Sequence, residues 1–250
     1  MGDRTSYAPG TVSWAELVTS DAEAAKGFYT DLFGWTYDDR PVGEDMVYSM
    51  AQLEGKSVAA LYRADEHPHW NCYVTVESVE DTCARVADLG GSVIGDPFDV
   101  MTAGRSAVIS DPSGAVFFLW EPGDNIGAYY VNAPGAMAWN DLVTPDPDAA
   151  AAFYGALFGW TFQEIPGAQG YRSIQNGEAK NGGVFPMEGA RPGWIPYFGH
   201  EDVDGVVARV DELGVRIVAG PIEVPGGKFA ILTDPQGAAF GVLQSDDYDD

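Results

Sequence analysis

The chain has 250 residues, of which 46% are hydrophobic and 20% charged, with a formal net charge of −25. This length and composition exclude a disordered chain and allow one large or two ordinary domains, while the negative field disfavours nucleic acid and anionic membrane. No apolar run is long enough to span a membrane, and the opening MGDRTSYAPG lacks the basic and apolar regions of a secretory signal, so a soluble cytoplasmic protein is expected.

Along the chain, Thr11 to Val18 reads as a strand. A helix follows, with Ser20 or Asp21 as its cap, Phe28, Leu32 and Phe33 on one face and Gly34 as its stop. Trp35 to Tyr37, Met46 to Leu53 and Ser57 to Tyr62 supply three short strands. The same pattern then recurs. Trp70 to Val76 is a strand, and a helix capped by Ser78 runs to Gly90-Gly91. Strands near Ser92 to Pro97, Arg105 to Ser110 and Ala115 to Trp120 follow, the last two joined by an Asp-Pro-Ser-Gly turn. Cys72 falls in a strand and Cys83 in a helix, so both are expected as buried free thiols.

The remainder repeats the first half. Pro134-Gly135 matches Pro9-Gly10, WNDLVTPD (Trp139 to Asp146) matches WAELVTSD (Trp14 to Asp21), and LFGWT occurs in both halves. Trp194 and Tyr197 match Trp70 and Tyr73, and DPQGAAFGVL from Asp234 matches DPSGAVFFLW from Asp111. This is a tandem duplication, with domains expected at 1–124 and 125–250. The fold class is α+β: four βαβββ modules paired into curved mixed sheets, with helices on the outer face. The repeated FY…LFGW segment reads as core architecture, each copy closing its own sheet. The final SDDYDD reads as a solvated acidic tail.

The paired modules, the FY…LFGW helix, the LG helix end and the DP.G…F.LWEP hairpin together resemble the vicinal oxygen chelate superfamily of glyoxalases, bleomycin-resistance proteins and extradiol dioxygenases. The resemblance implies curved sheets that form cups for small molecules, and in the enzymes a divalent metal held by His and Glu. At the positions the resemblance marks for ligands stand Trp14 and Trp139 on the first strands. Asn71 and Ile195 occupy the second-module strands, with Glu121 and Gln244 on the terminal strands. Indole only donates hydrogen bonds, so the implied metal site is expected to be absent, and no other cofactor is expected.

Glu16 and Asp141 lie two residues beyond the tryptophans, on the same side of their strands. With Glu121 they offer carboxylates either for a weak Mg²⁺ or Ca²⁺, or as acceptors for a ligand or neighbouring side chain. His67 and His69, beside Asp65 and Glu66, read as exposed loop residues, and His200 as a surface or cup-rim residue. The expected cup lining is aromatic: Trp14, Tyr48, Met50, Asn71, Tyr73, Met101, Phe118 and Trp120 in the first half. In the second half Trp139, Tyr171, Trp194, Tyr197, Phe198 and Phe240 are available. Two readings follow. One is a metal-independent protein that binds an aromatic or cationic natural product. The other is a metal-free cyclase, isomerase, hydroxylase or lyase on an aromatic or polyketide-like metabolite, with Glu16, Glu121 or Asp141 as acid or base. A metal-dependent glyoxalase or dioxygenase is a weaker third. Because two domains sit on one chain, either a monomer or a homodimer is compatible with the sequence.

Overall fold

The computed structural model describes residues 2–43, 46–168 and 170–248. The first half runs β1 (Val12–Thr19), α1 (Ala22–Phe33), β2 (Thr36–Val42), β3 (Met46–Leu53) and β4 (Lys56–Arg63). It continues through β5 (His69–Thr75), α2 (Val79–Val86), β6 (Ser92–Val100), β7 (Gly104–Ser110) and β8 (Val116–Pro122). The second half repeats this as β9 (Met137–Thr144), α3 (Pro147–Phe158), β10 (Thr161–Glu164), β11 (Arg172–Asn176) and β12 (Ala179–Pro186). Its second module holds β13 (Gly193–Gly199), α4 (Val203–Ala208), α5 (Val210–Leu213), β14 (Arg216–Val224), β15 (Gly227–Thr233) and β16 (Ala239–Ser245).

Two eight-stranded sheets result, ordered β2-β3-β4-β1-β5-β8-β7-β6 and β10-β11-β12-β9-β13-β16-β15-β14. Opening strands of paired modules meet antiparallel at each centre, β1 with β5 and β9 with β13. Closing strands run parallel beside them. Four βαβββ modules in mixed sheets are therefore what the pattern of strands and helices specifies.

Local chemistry sets the helix ends. The Asp21 carboxylate accepts from the Ala24 amide, and Gly34 ends α1 at φ +74°, a conformation that costs a side-chain-bearing residue energy. Asp146 caps α3 in the same way, with Pro147 at its first position. Ser78 caps α2, which tightens into a 3₁₀ turn over Ala87–Leu89 before Gly90 stops it.

The convex faces of the two sheets turn toward each other, with α1 and α3 between them. Phe28 and Tyr29 of α1 meet Phe240 of the other half at ring separations of 6.0 and 5.6 Å, while Tyr29 also packs on Trp70 of its own half at 5.6 Å. Phe33 and Trp35 both contact Phe198, again across the halves. The arrangement is reciprocal: Phe153, Tyr154 and Phe158 pack on Phe117 of β8. The FY…LFGW segment is core, yet it does not close only its own sheet, as the sequence led us to expect. Helical periodicity marks which stripe is buried but not which sheet buries it.

Polar bonds repeat the same exchange. Tyr29 donates to Asp234 and Tyr154 to Asp111, each at 3.1 Å. Trp35 donates to the Gly135 carbonyl at 2.7 Å and Trp160 to the Gly10 carbonyl at 2.8 Å. Asp111 and Asp234 are the first residues of the repeated Asp-Pro-x-Gly turns, and each also accepts backbone amides of its own turn. Each half thus locks the other through the residues that were duplicated. Among the described residues, no helix is long and apolar enough to cross a membrane.

Candidate site on the concave face of the first sheet

Since the convex faces are taken by helices, side chains on the alternate positions line the concave faces. On β1 these are Trp14 and Glu16. Glu16 lies directly opposite Asn71 on β5 and Ala60 on β4, and Trp14 lies opposite Tyr73. Tyr48 reaches in from β3, where it stands opposite Tyr62 with rings stacked at 6.2 Å.

These residues form one buried hydrogen-bonded cluster around a carboxylate. Tyr48 donates to Glu16 Oε2 at 2.7 Å, and Tyr73 donates to Oε1 at 2.9 Å. The Asn71 amide adds a longer bond at 3.4 Å, and the Trp14 indole donates to the Tyr48 hydroxyl at 3.2 Å. Glu16 is only 7% exposed. Burial pushes its carboxyl above the usual range, and the three donors and the nearby His69 only partly oppose that shift. Tyr48 and Tyr73 are pushed far upward, by burial first and then by the Glu16 charge, so they remain neutral donors. Chemically this is a carboxyl able to hold or release a proton, flanked by fixed phenols and bordered by the half-buried rings of Tyr48, Tyr62 and Phe118.

The second sheet carries a changed copy. Asp141 accepts from Tyr171 at 2.8 Å and from Trp139 at 3.0 Å, and burial raises its carboxyl likewise. It is one methylene shorter than Glu16. Tyr197, the counterpart of Tyr73, is buried with its hydroxyl beside Asp141, and burial and the Asp141 charge push its pKa up, but the hydroxyl lacks the close, well-aligned bond that Tyr73 makes to Glu16. Ile195 replaces Asn71 and offers no polar group. Gly183 stands at the position of Ala60, and a Cβ there would meet the Tyr171 hydroxyl, so the glycine is what lets that hydroxyl reach Asp141.

Other expected site residues lie elsewhere. Glu121 is on the convex side of β8, because Phe118 and Trp120 take the concave positions and alternation puts Glu121 opposite them. Its Oε2 accepts from the Val79 amide at 2.9 Å and so caps α2; Gln244 does the same for Val203 at 3.2 Å. A carboxylate set of Glu16, Asp141 and Glu121 is therefore not assembled. Trp194 is also convex: it donates to the Tyr154 hydroxyl at 3.1 Å, as Trp70 does to Tyr29 at 3.2 Å. Phe198 and Phe240 pack against α1. Trp120 is concave, with its indole bonded to the Asn125 carbonyl, and Met50 lies in the Glu16 row. Met101 projects from a turn and is 79% exposed.

His67 is exposed, whereas His69 is half-buried at the start of β5. His200 is half-buried, just past the end of β13. Its Nδ1 accepts from the Asp202 amide, its ring meets Phe33, and burial lowers its pKa. Cys72 is buried as expected, and Cys83 is only half-buried. Sequence reasoning missed Tyr62, which strand pairing opposite Tyr48 would have suggested.

The donor set does not fit the divalent metal that the resemblance implies. Among the described residues, no three His, Cys, Asp or Glu side chains come together as a metal-binding group. Glu16 is surrounded by phenols, an amide and an indole, and Asp141 by phenols and an indole, so neither carboxylate has a second ligand-type side chain among its hydrogen-bond partners.

The sequence profile of the Glyoxalase/Bleomycin resistance protein/Dioxygenase superfamily matches residues 11–119 and again 136–242. The chain belongs to this superfamily. Within it, CFP32 from Mycobacterium tuberculosis, named provisionally as a glyoxylase, is 44% identical over 256 residues, covering 98% of each chain. The anthracycline biosynthesis protein DnrV from Streptomyces peucetius is 34% identical over 268 residues, covering 96% of this chain and 95% of that protein. The Mn(II)-bound glyoxalase from Novosphingobium aromaticivorans shares the fold with a TM-score of 0.68, at 19% identity, over 97% of this chain and 85% of that one.

Proposed function

We propose that the first concave face takes up a planar aromatic small molecule without using a metal, with Glu16 as its polar anchor. The observation that carries this reading is the Glu16 cluster: a buried carboxyl held by Tyr48, Tyr73 and Asn71 beneath half-buried aromatic rings. An apolar surface with a few fixed polar groups is how small-molecule sites are usually built. A relative named for anthracycline biosynthesis, similar over nearly its whole length, supports a ligand of aromatic polyketide type. The net charge of −25 adds attraction for ligands that carry an amine.

The test is a titration with anthraquinones and amine-bearing anthracyclines, followed by intrinsic tryptophan fluorescence, for the native protein and Glu16→Gln. A hydrogen bond to a charged group contributes about 1.5–3 kcal/mol, or roughly ten- to hundred-fold in affinity. Saturable binding weakened by that factor in the variant is expected; equal binding by both proteins would remove Glu16 as the anchor.

A second reading is favoured by the upward-shifted Glu16 carboxyl itself. Burial makes such a group keep its proton above the ordinary carboxylate range, so Glu16 would act as the acid or base in a metal-free rearrangement of the bound ring system. Chromatography of the ligand after incubation separates the two readings. Under the first, the ligand is recovered unchanged. Under the second, product accumulates with the native protein, and Glu16→Gln binds without converting.

A further inference from the structure

Three exposed large apolar side chains in the first half share one wing of the first sheet: Ile94 at 48% exposure, Phe98 at 44% and Val116 at 40%. Strand pairing shows which way they face. Tyr73 on β5 is opposite Phe118 on β8, Phe118 is opposite Val108 on β7, and Val108 is opposite Ile94 on β6. Directly opposed residues stand on the same face of a sheet, and the Tyr73 hydroxyl bonds Glu16. The row is therefore concave and begins at the carboxylate. Trp120, Ser106 and Phe98 form a second row beside it, and Val116 precedes Phe118 by two residues on the same side.

Three gaps between adjacent strands, each about 4.8 Å, give this apolar row a length of about 14 Å. A soluble chain rarely leaves such a strip uncovered without a use for it. What covers it is constrained. β6 is an edge strand, but its pairing with β7 breaks between Ile94 and Phe98, across Gly95-Asp96-Pro97. A proline and a register break block addition of a strand from another chain. A net charge of −25 further opposes a second copy. The occupant that fits is flat, apolar and small enough to lie within the curve of the sheet, with a polar group at Glu16.

The second half keeps an apolar wing, where Ile222 (37% exposed) stands opposite Phe229 and Phe229 opposite Leu243, but it has lost the row that runs out from the carboxylate. Gly241 stands where Phe118 does, and the Tyr197 ring lies on it so closely that a Cβ at 241 would collide with the ring. Opposite Gly241, Ile231 is only 2% exposed. Its own tyrosine fills the place that the first half leaves open.

We propose that the wing formed by Phe118, Val108, Ile94 and Phe98 is an extended platform that selects ligands of several fused rings, one per chain. This rests on the reading of Glu16 as the polar anchor and adds the size of the ligand and the stoichiometry.

The test is calorimetric titration with hydroxylated one-ring, three-ring and four-ring aromatic compounds, for the native protein, for Ile94→Ser/Phe98→Ser and for Glu16→Gln. Both wing residues are exposed, so circular dichroism and thermal midpoint should match those of the native protein. Affinity is expected to rise at least ten-fold from one ring to four in the native protein, with one site per chain. The wing variant should lose most of that rise and keep its one-ring affinity. Affinity independent of ring number, or four-ring binding unchanged in the wing variant, overturns the platform; if Glu16→Gln still weakens every compound, the anchor stands without it. Two equivalent sites overturn the assignment to one sheet, and no binding by any compound overturns platform and anchor together.

Discussion

Replacing Tyr29 by Phe removes one oxygen atom from the junction between the halves. That hydroxyl accepts from the Trp70 indole at 3.2 Å and donates to Asp234 at 3.1 Å. Trp70 is 5% exposed and Asp234 3%, so water does not replace the lost partner. A hydrogen bond to a carboxylate contributes about 1.5–3 kcal/mol, and an indole N–H left unsatisfied adds about 1 kcal/mol, so the expected cost is about 2–4 kcal/mol. For a chain of this size each kcal/mol lowers the thermal midpoint by about 2–4 °C, so the midpoint should fall by about 5–15 °C. Tyr154→Phe breaks the equivalent bonds to Trp194 and Asp111 and should cost the same. The two sites share no partner, so the double variant should show nearly additive loss. Urea unfolding followed by circular dichroism and by tryptophan fluorescence measures all three. Tyr37→Phe is the control, because its half-buried hydroxyl donates a long 3.4 Å bond to a backbone carbonyl and bonds no buried carboxylate. Losses below about 0.5 kcal/mol for Tyr29→Phe, or very unequal losses at the two sites, would refute reciprocal locking as the reason for the repeated segment.

Two further outcomes are expected. In the folded chain Glu16 keeps its proton to higher pH than in the unfolded chain, so its contribution to stability falls as pH rises through the interval above the ordinary carboxylate range. Stability measured against pH should therefore show Glu16→Gln gaining on the native protein from acid toward neutrality; a difference constant with pH would contradict burial of the charge. Glu121→Ala removes the side chain that caps α2 and should cost about 1 kcal/mol in urea unfolding while leaving ligand affinity unchanged. Lost affinity in that variant would return Glu121 to the site.

Much of the architecture was legible because it depends on local patterns. Asp21, Ser78 and Asp146 announce helix starts, Gly34 and Gly90 announce stops, and the Asp-Pro-x-Gly turns mark the terminal hairpins. Glu16 and Asp141 could be assigned to the concave face from their two-residue spacing to the tryptophans. Glu121 could not, because a one-residue difference on β8 decides between the concave face and the cap of α2, and spacing from the turn does not supply it. Trp194 failed for another reason. It resembles cup-lining aromatics in composition, but its partner Tyr154 lies 40 residues away on a helix wedged between the sheets. Ile94 and Phe98 went unnoticed because an apolar residue on a strand reads as core until its neighbours across the sheet are known.

The most direct test of the account is a crystal structure of the chain with a multi-ring aromatic ligand bound. The account predicts ring density on the concave face of the first sheet, along Phe118, Val108 and Ile94, with an oxygen or nitrogen of the ligand within hydrogen-bonding distance of Glu16 or Tyr48. Ligand density confined to the second sheet, or a divalent metal held by protein atoms beside Glu16, would contradict it.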